Sequence, residues 1–383
     1  MKILRITAEG LALFKEKVVI DFFAEQRVLN DNSDMLTRLF GNIYSNNVLS
    51  IVGINASGKT TLLKLLSFIF DILNGGSLNR KHNKEILMGS KEVIIETFFW
   101  DENLGVCKLL SQISILKGKK YEEVYAFSDE KMWIKSTSKA KTKKDLFEFS
   151  DKPTKIRDNS SEYLQMDTSI AIAISKNEPL QVYNWLNYTN INFLSLVGDY
   201  PPELIAFLDP SIEAISFDNA TAEIVVKFFG RDPIRVPNPL ALESILSSGT
   251  VKGINVFLSA FMAFEQGGYI LVDELENHFN REIVATLIRF FTSPKVNKHG
   301  ATLVFSTHYA ELLDEFERSD NIFIVRNKEG ITVQKLNEIL RRNDIKKSEA
   351  FKSDYLDGTV PSYDAYIDLK EGLMRGLITL GEG

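Results

Sequence analysis

Cysteine is nearly absent from the 383-residue chain: Cys107 is the only one, so no disulfide can form within the chain. This usage is typical of proteins in the reducing cytoplasm, where we expect this protein to be located. Long hydrophobic runs are also absent, because the longest, Val256 to Phe264, is far shorter than the ~20 residues that span a bilayer. No secretory apolar segment is found in Met1 to Gly10. These absences exclude a fused transmembrane transporter, and we expect no association with membranes.

The chain also lacks repeats, a sustained heptad pattern and a strong excess of basic residues. A long coiled coil is therefore excluded from the middle of the sequence. The net charge of -6 argues against broad, non-specific nucleic-acid binding. A local cluster runs from Lys139 to Lys144; we interpret it as a solvated loop face, with contact to nucleic acid or to an acidic partner as the alternative. With 44% hydrophobic residues, the chain can bury a substantial core.

A complete phosphate-binding pattern, G-x-x-x-x-G-K-[ST], begins at Gly53. An apolar strand (48–52) precedes it and an apolar helix (61–70) follows, which is the context that the pattern requires. Gly53 and Gly58 let the backbone approach an anion, and the helix N-terminus adds its dipole. Lys59 is expected to neutralise the β- and γ-phosphates and Thr60 to hold Mg²⁺. Thr61 is expected either to contact the α-phosphate or simply to pack within the protein.

A second apolar strand, Tyr269 to Val272, ends in two acids, Asp273 and Glu274. Because successive strand residues face opposite ways, the two carboxylates can have different roles. We predict that Asp273 is a Mg²⁺ ligand and that Glu274 deprotonates the attacking water. The alternative is a strand that ends in a solvated turn.

Two further segments indicate what kind of nucleotide enzyme this is. A Ser-Gly turn, residues 246–250, opens an apolar helix and offers an anion site at its N-terminus; ordinary capping by Ser248 is the alternative. The apolar strand 301–307 leads into His308, a candidate donor to the γ-phosphate.

In this order, the four elements resemble the head of an ATP-binding-cassette ATPase of the SMC and RecF branch. Within that branch the chain resembles the small bacterial ATPases of the OLD and abortive-infection class, which act in anti-phage defence. The resemblance implies an α/β P-loop NTPase with a mixed sheet, an antiparallel β arm and a helical insertion. The chain departs from the family at its signature, which reads Ser-Ser-Gly-Thr, and Gln165 is the best candidate for the family's glutamine loop.

The resemblance further implies a nucleotide-sandwiched homodimer or higher homo-oligomer that uses ATP and Mg²⁺. Ser247, Ser248 and Gly249 of one subunit would then cap the γ-phosphate bound by another. A separate effector protein, a nuclease or toxin, is the expected partner; the alternative is a RecF-like repair ATPase that clamps duplex DNA. A self-sufficient nuclease or toxin is a third class, to which no residue points. The residues expected to bind nucleotide are Gly53, Asn55, Ala56, Ser57, Gly58, Lys59, Thr60, Thr61, Ser247, Ser248 and Gly249.

Four regions are expected along the chain. They are an N-terminal ATPase lobe with the β arm (1–116), a partly helical insertion (117–210), a C-terminal ATPase lobe (211–335) and a helical tail (336–383). Strands are predicted at 93–100 and 106–116, and hairpins at 212–229 and 322–335. Helices are predicted at 169–175 and 180–186.

Overall fold

The structure is a computed structural model. It describes residues 1–383 except for 30–34, 117–122, 161–162, 177, 187–199, 219, 222, 238, 278, 341–344, 357, 360–362 and 382–383. The strands of the described residues are β1 Lys2–Glu9, β2 Val18–Asp21, β3 Leu36–Phe40, β4 Ile43–Asn46, β5 Val48–Val52, β6 Glu92–Asp101, β7 Gly105–Leu116, β8 Val124–Lys135, β9 Lys155–Ile156, β10 Val182–Asn184, β11 Ile212–Asp218, β12 Glu223–Phe228, β13 Ile234–Val236, β14 Tyr269–Val272, β15 Thr302–Thr307, β16 Ile322–Asn327 and β17 Ile331–Lys335. The α-helices are α1 Lys59–Leu73, α2 Lys81–Leu87, α3 Ile172–Ser175, α4 Pro202–Leu208, α5 Ser248–Gln266, α6 Arg281–Thr292, α7 Leu336–Ile339, α8 Lys347–Lys352 and α9 Tyr363–Gly381.

The nucleotide-binding elements lie on a mixed sheet with the strand order β10-β14-β15-β5-β16-β17. The pairs from β10 to β16 are parallel, and β17 returns antiparallel beside β16. Every residue of β5, β14 and β15 is buried, as expected for parallel strands covered on both faces. The carboxyl ends of these three strands therefore meet at one edge, where the motifs begin.

The antiparallel arm is a second sheet, with the order β2-β1-β6-β7-β8-β9. The predicted strands at 93–100 and 106–116 are confirmed as β6 and β7. Strand β8 extends the arm beyond residue 116, into the region that was expected to be a partly helical insertion. Its partner β7 pairs with it along its length, from Val106 opposite Lys135 to Leu116 opposite Val124.

Helix α1 lies between the two sheets and forms the centre of the larger core. Phe70 of α1 packs on Phe22 and on Tyr269, with ring centroids 6.2 and 5.0 Å apart. The hydroxyl of Tyr269 is buried and accepts a 2.8 Å hydrogen bond from the Ile3 backbone, which joins β14 to the arm. On the opposite face of the mixed sheet, α5 and α6 form a second core. The sheet is thus covered on both faces.

Charged side chains also link the arm to the mixed sheet. Lys335, which is buried at the end of β17, donates to Asp21 of β2 at 2.8 Å and to Glu25. Asp21, itself fully buried, also accepts from Arg5 at 2.5 Å. Burial lowers the pKa of Lys335, but the two carboxylates outweigh it and raise the pKa overall. The link is therefore a buried ionic network.

One helix prediction is wrong. Residues 182–184 of the predicted helix 180–186 form the edge strand β10, whose Val182 pairs with Tyr269 of β14. A short apolar run without clear periodicity fits either structure, and the free edge of β14 selects the strand. The hairpins at 212–229 and 322–335 are confirmed, and the helix at 169–175 is present only as α3. No helix among the described residues is long and apolar enough to cross a membrane.

Candidate functional site

The loop from Gly53 to Gly58 joins the end of β5 to the start of α1, as the pattern predicts. Ala56 and Gly58 adopt left-handed backbone angles, with φ of 61° and 101°. A Cβ on Gly53 would lie 2.5 Å from the Val325 carbonyl oxygen, and one on Gly58 would lie 2.6 Å from Ile331. Both glycines are therefore required by the close approach of the β16–β17 hairpin.

Lys59 lies buried inside its own loop. Its Nζ donates to the carbonyl oxygens of Gly53, at 2.9 Å, and Ile54, at 3.0 Å. Burial lowers the pKa of Lys59, and the carboxylates of Glu274, Asp273 and Glu276 act in the opposite direction. The ammonium is thus already directed into the loop that a phosphate would enter.

The hydroxyl of Thr60 and the carboxylate of Asp273 lie side by side. Thr60 Oγ1 donates to Asp273 Oδ2 at 2.6 Å, and the Ser306 hydroxyl donates to the other oxygen, Oδ1. A hydroxyl and a carboxylate are oxygen ligands of the type that Mg²⁺ selects, usually together with water and substrate phosphates. These two residues therefore fit a magnesium ion, and Ser306 orients the carboxylate.

Glu274 has an unusual backbone, with a left-handed φ of 45°. Its N–H donates to Ser306 Oγ at 2.7 Å, and its Oε2 accepts from Asn277 Nδ2 at 2.5 Å. Left-handed angles are costly for residues other than glycine, and they concentrate at functional sites. The turn brings the Glu274 side chain to the cleft that the phosphate loop lines.

The cleft has a volume of ≈ 680 Å³. Seven of its lining residues belong to the phosphate loop and the start of α1, and Glu274 lies beside them. The remaining lining residues come from two segments that were not predicted from the sequence. The missed residues are Ala12, Leu13, Asn327, Glu329, Gly330 and Ile331. They carry no recognisable motif, and only the packing of the hairpin turn of β16 and β17 against the loop after β1 places them here.

The signature turn begins α5 as predicted. The N-cap is Ser247, whose Oγ accepts from the Thr250 N–H at 3.0 Å, so the alternative assignment of capping to Ser248 is corrected by one residue. Ser248 and Gly249 form the first turn of α5, and they are not part of the lining of the cleft within the described chain. Their expected role toward a second subunit's nucleotide stays a prediction.

Lys252, one turn into α5, connects the signature helix to the acidic strand end. Its buried Nζ donates to the carbonyl oxygens of Asn277 at 3.0 Å and Glu274 at 3.3 Å. Burial lowers the pKa of Lys252 to about 8, although three nearby carboxylates act against this shift. Sequence reasoning missed this residue, because a single lysine in an apolar helix carries no motif.

His308 follows β15 and is held by Glu276. Glu276 Oε1 accepts from the His308 backbone N–H at 2.7 Å and lies 2.8 Å from His308 Nδ1. Glu276 is 2% exposed and His308 is partly exposed. Glu276 was not singled out from the sequence; its position two residues after Glu274 was the only available signal.

Other sequence candidates lie elsewhere. Gln165 is exposed, and its carbonyl oxygen accepts a 2.6 Å hydrogen bond from Arg157; it does not line the cleft. Within the lysine cluster, Lys143 Nζ donates to the carbonyl oxygens of Glu25 and Gln26 at 2.7 and 2.9 Å. Lys143 is therefore a structural contact between the loop and the arm.

The chain is similar to a family of known proteins and to a solved structure. A family described as "AAA domain, putative AbiEii toxin, Type IV TA system" matches residues 48–314. Among solved structures, the chain is similar to the recombination mediator protein RecF bound to ATP, with a TM-score of 0.40, 10% identity and coverage of 88% of this chain and 97% of that chain. No curated protein matches. Since the family match covers well over half of the chain and contains the phosphate loop, the acidic strand and His308, the chain belongs to this AAA-domain family of P-loop ATPases.

Proposed function

We propose that the protein is a Mg²⁺-dependent ATP hydrolase whose subunits close on ATP and open after hydrolysis. The observation that carries the proposal is the junction of Lys59, Thr60, Asp273 and Glu274 at one end of a parallel sheet. Each of these residues is of the type that phosphoryl transfer to water requires, and the cleft beside them is large enough for a nucleotide.

The residues divide the reaction between them. Lys59 exchanges its carbonyl contacts for the β- and γ-phosphates, and the loop N–H groups surround the phosphate chain. When bound between Thr60 and Asp273, Mg²⁺ supplies positive charge to the phosphate oxygens. Glu274 accepts a proton from water as the oxygen bonds to the γ-phosphorus and the bond to the β-phosphate oxygen breaks. His308 donates a hydrogen bond to the γ-phosphate.

The second part of the proposal concerns the subunit interface. Ser247, Ser248 and Gly249 lie at the N-terminus of a 19-residue helix, where backbone N–H groups and the helix dipole favour an anion. We assign them to the γ-phosphate of a second subunit. The phosphate then joins two copies, and its loss after hydrolysis loosens the interface.

The output that we propose is control of a separate effector protein, a nuclease or toxin, in bacterial anti-phage defence of the abortive-infection type. The family description supports this context because it names a toxin of a toxin–antitoxin system. A RecF-like clamp on duplex DNA is the competing output. It predicts DNA binding that requires ATP and weakens steeply with salt.

The decisive experiment compares the wild type with the Glu274→Gln and Lys59→Ala variants. With ATP, Glu274→Gln should form a stable dimer by light scattering and hydrolyse ATP about 10²-fold or more slowly. Lys59→Ala should not bind ATP, and its oligomeric state should therefore be the same with and without ATP. Normal turnover in Glu274→Gln would overturn the assignment of the general base, and an ATP-independent assembly state would overturn the closure mechanism.

A further inference from the structure

The contact between Glu276 and His308 sets which nitrogen of the imidazole can reach a phosphate. One carboxylate oxygen, Glu276 Oε1, lies 2.7 Å from the His308 backbone nitrogen and 2.8 Å from ring Nδ1. An ionised carboxylate only accepts hydrogen bonds, so Nδ1 must carry a proton. The side chain and the backbone of His308 are thus fixed by the same atom, and Nε2 is the nitrogen left for another ligand.

This arrangement constrains the charge of the ring. A neutral imidazole with its proton on Nδ1 has a bare Nε2, which accepts hydrogen bonds and would face phosphate oxygens that also accept. Nε2 can donate to a phosphate only when the ring holds a second proton. The positive ring would then lie against the negative Glu276 carboxylate and would donate a charge-assisted hydrogen bond to the phosphate.

The other oxygen of Glu276 also indicates that this position favours a nearby positive charge. Oε2 is buried and has no hydrogen-bond partner among the described residues. An unsatisfied buried acceptor is costly, and such groups in native proteins call for a functional explanation. A carboxylate at this point stabilises a nearby cation, and Glu276 also acts on the pKa values of Lys59 and Lys252.

We propose that Glu276 is a positioning residue that holds His308 as a doubly protonated donor to the γ-phosphate. The inference rests on the proposed ATPase function and adds a residue outside the phosphate loop and the acidic pair. Among the described residues, Lys59 and Lys252 both feel the charge of Glu276, and the ring centroid of Tyr309 lies 5.0 Å from that of His308.

A spectroscopic test follows from the small number of histidines, four in the chain. With ¹⁵N-labelled histidine, the His308 signals can be assigned by their loss in His308→Ala. In the Glu274→Gln background with Mg²⁺ and ATP, we expect both ring nitrogens to be protonated at pH 7. In the Glu276→Gln variant, whose amide oxygen can still accept both hydrogen bonds, the doubly protonated fraction should fall at least about tenfold. Identical histidine spectra in both proteins would overturn the proposal.

Kinetics supply the second readout. Glu276→Gln should lower kcat at pH 7 about tenfold or more with little change in KM for ATP, since loss of one donor to a developing anion costs up to 10²–10³. The double variant Glu276→Gln with His308→Ala should be no slower than His308→Ala alone, because the two residues act as one unit. The matched control is Glu130→Gln, an equally buried carboxylate in the arm that pairs with Arg157.

The outcomes separate the two claims. If no variant and not even the wild type hydrolyses ATP, the proposed function fails, and the histidine spectra still decide the protonation state. If the wild type hydrolyses ATP but Glu276→Gln behaves like Glu130→Gln, the ATPase proposal stands and the role of Glu276 is wrong. Additive losses in the double variant would also contradict the role of Glu276.

Discussion

Thr60 and Asp273 are joined by a 2.6 Å hydrogen bond although 213 positions separate them in the sequence. The bond places the first turn of α1 directly against the end of β14. Thr60 and Asp273 are the residues that would hold a Mg²⁺ ion, which would supply positive charge to the phosphates. The two halves of the site are therefore joined directly by a side-chain hydrogen bond.

Thr60→Ala and Asp273→Asn should each weaken ATP binding in the presence of Mg²⁺ by about 10–100-fold, because one removes a hydroxyl oxygen and the other a negative charge from the cation site. Calorimetry with Mg²⁺ and with EDTA measures the effect. Thr60→Ser keeps the hydroxyl and is the matched control, with an affinity close to the wild type. The assignment fails if Thr60→Ala loses the same affinity in EDTA as in Mg²⁺.

Gly58→Ala should abolish ATP binding and lower the free energy of unfolding by about 1–3 kcal/mol, because the residue has a φ of 101° and its new Cβ would lie 2.6 Å from Ile331. The control is Gly41→Ala, where φ is also positive, at 50°, but no heavy atom lies within 4 Å of the Cβ. Gly41→Ala therefore measures the smaller cost of a positive φ without a steric contact. Equal effects at both positions would show that contact with Ile331 is unimportant.

Lys252 should make the stability of the protein rise between pH 8 and 10. Burial lowers its pKa from the ordinary value of 10.5 to about 8 in the folded protein, so the unfolded chain binds more protons in this interval and unfolding becomes less favourable as the pH rises. In Lys252→Met, the rise in unfolding free energy from pH 8 to 10 should be smaller by about 1–3 kcal/mol. Urea unfolding at both pH values measures it.

The exposed Lys17 is the matched control for this slope, because it pairs with Glu96 at the surface. Lys17→Met should leave the pH dependence of unfolding unchanged. Lys2 shares the behaviour of Lys252, with a pKa lowered to about 8 by burial, so a residual rise should persist in Lys252→Met. An unchanged slope in Lys252→Met would contradict the assignment.

Lys335→Met should destabilise the fold by about 3–5 kcal/mol, because it leaves the buried carboxylate of Asp21 with one cation fewer. The expected measurement is the urea midpoint at pH 7. Lys64→Met breaks an exposed pair with Glu85 and should cost no more than about 1 kcal/mol. A similar loss in both variants would argue against a buried link between the arm and the mixed sheet.

The site motifs could be predicted from the sequence because each is local: a glycine loop or an acidic strand end needs only its neighbours to be recognised. The structure confirms the strand and helix that flank Gly53 to Gly58. Glu276 and Lys252 could not be predicted, since their partners lie 32 and 25 positions away and depend on how β14, β15 and α5 pack.

The errors in the fold prediction have a related cause. Residues 182–184 have no secondary-structure preference strong enough to resist pairing with β14. Strand β8 was missed because its surface face carries charges, whereas its other face holds buried residues such as Tyr125, Phe127 and Met132. In both cases, a neighbouring strand selects the structure.

The three strands that end at the site come from residues 48–52, 269–272 and 302–307, and of the described chain between 53 and 268 only β10 joins their sheet. Evolution can therefore change the interval 212–236, which forms the separate sheet β11-β12-β13, while the phosphate loop, helix α1 and the signature turn are preserved. Related proteins could acquire new sensing or docking regions in this interval without redesign of the ATP-binding machinery. The same interval is the place where a protein engineer would graft a foreign recognition domain to bring ATP turnover under a new signal.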